Sequence, residues 1–159
     1  MVSATRARNA GFTTLELMIA VAILGILTAI ALPAMAEMVA NQRLRSTSSE
    51  LFTSLVRARS QAIKNATDVA LIPVNASWDN GWTIPHPNPT YVNYPLEKHA
   101  ALRNMTIATS AEDVTYRANG RLRTTPAPSF QVAATGTTAV RCVGVDLSGR
   151  PYILKVSCP

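Results

Sequence analysis

Side chains that do chemistry are scarce in this sequence. Its 159 residues include two histidines, two cysteines and nine acids, and the acids are scattered. There is no Gly-x-Ser-x-Gly elbow, no His-Glu-x-x-His pair and no phosphate-cradling glycine loop. That excludes the common hydrolase, zinc-protease and nucleotide-binding signatures, and the chain is expected not to be an enzyme. No Cys or His has a partner at ligand spacing, so neither a metal nor a cofactor is expected. His86 and His99 lie in or beside a proline-rich loop, where solvent exposure is the default. Internal repeats and low-complexity segments are lacking as well. The shortage of acids leaves a net charge of +6, an excess that permits a polyanionic partner without requiring one.

Charge is also absent from one long stretch. Leu17 to Ala36 is uncharged and apolar apart from Gly25, Thr28 and Pro33, about the twenty residues a helix needs to span bilayer hydrocarbon. A secretory signal would have a shorter apolar core and a small-residue cleavage site after it. Here the apolar run passes straight into an amphipathic pattern, so it is expected to be retained. Arg6 and Arg8 are the only charges before it and favour a cytoplasmic N-terminus. The remaining chain, about 120 residues, suffices for one compact domain outside the cytoplasm. One feature does not suit a plain anchor: Glu16 sits at the mouth of the apolar run, where an unpaired charge in lipid costs about 2.5–3.5 kcal/mol.

Beyond Pro33, Leu44, Leu51, Leu55, Ala58 and Ala62 recur on one helical face, while Arg43, Arg45, Arg57, Arg59 and Lys64 fall mostly off it. This predicts one long helix from about Phe12 to about Asn65. A β-rich run, Val69 to Val74, is expected to stop at Pro73. In Trp78-Asp79-Asn80-Gly81-Trp82 the central residues read as a turn, with Gly81 taking positive φ and the next strand starting at Trp82. Both tryptophans are read as core and turn packing. Pro85, Pro87, Pro89 and Pro95 mark a loop. Strands are expected at Leu102–Ala108, Val114–Arg117, Phe130–Ala134 and Val140–Leu147, with an Asn119-Gly120 hairpin turn before Arg121–Arg123. A last turn at Ser148–Pro151 would return Tyr152–Ser157, placing Cys142 and Cys158 within one residue of opposite each other. Outside the cytoplasm such a pair is expected to be bridged.

The N-terminal pattern resembles the class III signal of type IV pilins and type II secretion pseudopilins. That resemblance rests on Gly11-Phe12, Glu16 five residues into the mature chain, and Gly25 and Pro33 at matching spacing. It implies that a prepilin peptidase removes residues 1–11 after Gly11 and N-methylates Phe12. Residues 12–66 then form the long helix, with 12–36 in the inner membrane, and residues 67–159 a β-rich periplasmic domain. Glu16 would pair with the new Phe12 amine, in its own chain or a neighbour, to set subunit register; Gly25 and Pro33 would weaken the helix. Ala58-Arg59-Ser60-Gln61-Ala62-Ile63 and Trp78 to Trp82 further resemble the GspH/FimT branch. The implied fold is α+β: a long N-terminal helix packed on a small antiparallel sheet domain.

The function so implied is structural: a single-pass minor pilin or pseudopilin that helps initiate or cap a type IV pilus or type II secretion filament, with other pilins as partners. The alternative is a DNA-binding minor pilin at a competence pilus tip, with double-stranded DNA as partner. FimT members carry a Gly-Arg-x-Arg motif. Here Gly149-Arg150-Pro151-Tyr152 has a tyrosine for the second arginine, while Gly120-Arg121-Leu122-Arg123 is complete but stands in an earlier hairpin. Arg121, Arg123, Arg150 and Lys155 are therefore the candidate DNA contacts.

Overall fold

A computed structural model describes residues 12–123 and 125–159; the expected leader and Gly11 lie outside them. The chain forms two compact units, up to Ala36 and from Glu37 onward. Helix α1, Thr14–Asn65, contributes to both.

In the first unit every described residue is exposed, including Leu17, Ile19, Val21, Ile23, Ile26 and Ile30. Thr13 caps the helix: its hydroxyl accepts the Glu16 amide while Glu16 accepts the Thr13 amide. This reciprocal capping box satisfies two otherwise orphaned donors. Thr28 turns its hydroxyl onto the Leu24 and Gly25 carbonyls, which hides its polarity from an apolar surround. α1 continues through Pro33, although proline removes one backbone donor there.

In the second unit α1 buries Ala40, Leu44, Leu51, Leu55, Ala58 and Ala62, which includes all five residues of the periodic stripe. Thr47, Ser48 and Ser54 are buried on the same face. Ser48 bonds the Leu44 carbonyl at 2.7 Å, within its own helix. The helix ends in a Schellman motif, with Thr67 N–H on the Ala62 carbonyl and Ala66 N–H on that of Ile63. Ala66 itself takes a φ of 49°.

Two four-stranded antiparallel sheets make up the rest. The first comprises β1 (Val69–Val74), β2 (Ser77–Ile84), β3 (Glu97–Lys98) and β5 (Val114–Tyr116), in the order β3-β2-β1-β5. The second comprises β4 (Met105–Ala108), β6 (Ser129–Ala134), β7 (Val140–Val145) and β8 (Pro151–Leu154), in the order β4-β6-β7-β8. Pro73 does not stop β1. It pairs with Trp82 just before a register shift, and β5 covers only Val69–Leu71 on the other side, so no partner there needs the missing N–H.

The expected turn at Asp79–Gly81 is a correction. The β1–β2 turn is Asn75-Ala76, at φ of 50° and 59°, and Asp79-Asn80-Gly81 lies inside β2 as an irregular, bulged stretch. Gly81 does take positive φ, but a bulge is what requires it. A Cβ there would collide with the His99 and Ala100 carbonyls, which pass directly over it. The bulge frees Asp79 to join the two sheets: its carbonyl accepts Leu102 N–H, and its carboxylate accepts Ile107 N–H at 2.7 Å.

The core joins the buried α1 face to Leu71, Trp82, Ile84, Val114 and Tyr116 of the first sheet, and to Phe130, Val132, Val143 and Val145 of the second. Trp78 meets Phe130 edge-on at 4.7 Å, a favourable aromatic geometry. Both tryptophans are buried, as packing residues should be.

Candidate functional site

Three groups of residues bear on function. The first is the start of α1. Phe12 is exposed, and the Glu16 carboxylate accepts from the Thr13 amide at 2.9 Å and the Thr13 hydroxyl at 3.0 Å. The acid's first partners are thus within its own chain. Thr13-Thr14-Leu15-Glu16 carries this cap in plain sequence, a Thr followed three residues later by a Glu. Gly25 has no neighbouring atom where a side chain would stand, so packing among the described residues does not require glycine there.

The second group is the pair of Gly-Arg turns. The β5 hairpin forms as expected: Gly120 N–H bonds the Arg117 carbonyl, Arg117 N–H bonds the Arg121 carbonyl, and Tyr116 bridges to Leu122. The last hairpin turns over Asp146–Arg150, with Val145 opposite Pro151. Asp146 accepts from the Ser148 hydroxyl and the Arg150 amide, which hold its carboxyl below the usual range. The two turns abut: a Cβ on Gly149 would strike the Gly120 carbonyl. That carbonyl also accepts Arg59 Nε at 3.0 Å, which locks both turns to α1.

Arg117, Arg121 and Arg123 line an open groove beside this junction, with Leu122 and Leu147. Arg123 is paired with Asp68 at 3.2 Å; among the described residues Arg121 and Arg150 form no ion pair. Tyr116 lies buried below, its hydroxyl without a hydrogen-bond partner among the described residues; burial pushes that hydroxyl far above its ordinary range, with Arg59 opposing and Asp146 adding. The structure thus sets the turn that precedes Arg150 against the one that precedes Arg121, puts Arg121 and Arg123 on the groove, and leaves Lys155 apart. Lys155 follows the Cys142–Leu154 pair, at the far end of β8 from Arg150.

The same register corrects the cysteine argument. Cys142 faces Leu154, not Cys158, because the turn is longer than Ser148–Pro151 and β8 stops at Leu154. The Cys142–Cys158 disulfide is nevertheless present, with Cα atoms 4.9 Å apart: the tail beyond the strand, not the ladder, brings the sulfurs together.

The third group was not visible in sequence. His99 is half-buried, contrary to the exposure expected of it. Its ring stacks on Trp82 at 3.9 Å and 12°, and its Nε2 lies 2.9 Å from Glu50 on α1. Next to it Glu97 meets Ser54 and pairs with Arg57 at 3.4 Å, and Ser54 accepts Trp82 Nε1 at 2.9 Å. Burial pushes the Glu50 carboxyl up, but hydrogen bonds from His99 and Ser46 and the charge of the ring outweigh it, and the carboxyl lies below its usual range. The partners are too distant in sequence for any spacing to announce them.

The chain matches the family model described as type II transport protein GspH over residues 47–149, and the prokaryotic N-terminal methylation motif over residues 6–32. Among solved structures it is similar to the type IV minor pilin FimU of Pseudomonas aeruginosa, with a TM-score of 0.61 and 25% identity, over 72% of this chain and 90% of that one. It is also similar to the minor pseudopilin EpsH from the type 2 secretion system of Vibrio cholerae. There the TM-score is 0.53 at 11% identity, over 71% of this chain and 97% of that one, a likeness of fold alone. No curated protein sequence matches it.

Proposed function

The chain belongs to the GspH family of type II transport proteins, and from that premise we propose that this minor pilin or pseudopilin helps initiate or cap its filament, as a structural subunit drawn from the bacterial inner membrane. The observation that carries the reading is the first unit. Phe12 to Ala36 exposes apolar side chains on every side of a helix, a surface that needs lipid and then the helices of neighbouring subunits. The methylation motif over residues 6–32 supports cleavage by a prepilin peptidase after Gly11 and methylation of Phe12. The rest of the chain then stands on the periplasmic side, and Gly25 and Pro33 are the places where the membrane helix yields on leaving the bilayer.

Glu16 is the docking residue of this scheme. In the isolated chain it is held by Thr13, so docking exchanges a neutral cap for the amine of a processed N-terminus. The test is incorporation. Glu16→Val should insert and be processed normally yet be depleted from filaments, whereas Gly11→Val should block leader removal. Wild-type incorporation of the Glu16 variant would remove its docking role, and Met1 retained in mature filaments would overturn the reading altogether.

A second reading starts from the abutting Gly-Arg turns, at which neither Arg121 nor Arg150 forms an ion pair among the described residues, although Asp146 lies in the same turn as Arg150. Here the subunit holds double-stranded DNA at a pilus tip through phosphate contacts. Such binding is sequence-independent and falls steeply with salt, and each lost contact lowers the salt slope by about one. Tyr152, standing where FimT members have a second arginine, weakens it. The full chain in detergent micelles should bind a labelled duplex less tightly after Arg150→Ala or the Arg121/Arg123 double alanine change. Unchanged binding at low and moderate salt would leave the structural role alone.

A further inference from the structure

The segment Leu96–Leu102 crosses the bulge of β2 as a strap. Leu96 N–H bonds the Ile84 carbonyl, His99 N–H that of Trp82 and Leu102 N–H that of Asp79. The strap closes the loop between β2 and β3, on which Tyr91, Val92 and Tyr94 are exposed. Its one aromatic hold is the His99 ring, lying flat on Trp82.

Both ring nitrogens of His99 face acceptors. Nδ1 lies 2.8 Å from the Ala100 carbonyl oxygen and Nε2 lies 2.9 Å from Glu50 Oε2. A neutral imidazole has one N–H, so whichever tautomer forms, one nitrogen lone pair is set against an oxygen lone pair. Only the imidazolium donates to both, and it also places a cation on the Trp82 face. His86 is built the other way: its Nδ1 accepts the Asn88 amide at 3.0 Å.

We infer that His99 is a proton-operated clasp: the charged ring fastens the β2–β3 strap to Glu50 of α1, and loss of its proton releases the strap and the aromatic loop it carries. The surrounding charges are those of Glu50 and Arg57 on α1, Glu97 on β3, and Lys98 on the alternate face of that strand. Arg57 is taken up by Glu97, which leaves Glu50 to the ring. Imidazole changes charge between about pH 5 and 8, and it is the charged form that fastens the clasp.

Amide hydrogen exchange on the full chain in detergent micelles tests this, at about pH 5.5 and about pH 8, normalised for intrinsic exchange. Protection at Leu96, His99 and Leu102 should fall by about tenfold at the higher pH, as expected from losing one charged hydrogen bond, while Val132 and Val143 stay protected. Glu50→Gln supplies an amide donor to the neutral ring's Nε2 and should make strap protection the same at both pH values. His99→Gln should show low protection at both. Unchanged wild-type protection, a full pH response in Glu50→Gln, or wild-type behaviour in His99→Gln would each overturn the clasp.

Discussion

Two alanines hold backbone conformations that usually fall to glycine or asparagine. Ala66 closes α1 and Ala76 completes the β1–β2 turn, both at positive φ, where an L-residue with a Cβ loses about 1–2 kcal/mol. Ala66→Gly should therefore stabilise the chain by about 1 kcal/mol, read from denaturant midpoints, since glycine has no such penalty at a helix C′ position. Glu50 gives a residue-scale prediction of another kind. Its carboxyl lies below the ordinary value of 4.5 in the folded chain. The stability it contributes is present above that value and is lost as pH falls through the lower, folded-state value. Acid unfolding should thus be less steep in Glu50→Gln than in the wild type, and equal acid profiles would contradict this.

At the scale of elements, α1 was the most legible part of the sequence. Leu44, Leu51, Leu55, Ala58 and Ala62 announce a buried stripe by spacing alone, and all are buried. Ala58 and Ala62 are the close-approach points; Ala58→Leu should cost about 1–3 kcal/mol by overpacking, seen as a lower melting temperature of the second unit. The strands were legible where apolar residues alternate, as in β6, whose burial alternates along its whole length. Asp79-Asn80-Gly81 misled because the same residue types serve bulges and turns, and the true turn hides behind an alanine. The meeting of Gly120 with Gly149, and of His99 with Glu50, had no signal at all, since contacts between distant segments leave no period in a single sequence.

The molecule as a whole divides into an apolar helical unit that its own residues leave uncovered and a compact unit closed by a disulfide. The bridge joins residues 16 apart, and a loop of that size contributes about 3 kcal/mol in the chain-entropy model. Cys158→Ser should lower the melting temperature of the second unit accordingly, and an unchanged value would mean that the tail beyond Leu154 adds nothing. The bridge also turns the last hairpin into a covalent ring. Lys155 is exposed within that ring, so tryptic cleavage after it should add one water to the chain's mass without releasing a fragment, and only a reducing agent would then separate the two pieces.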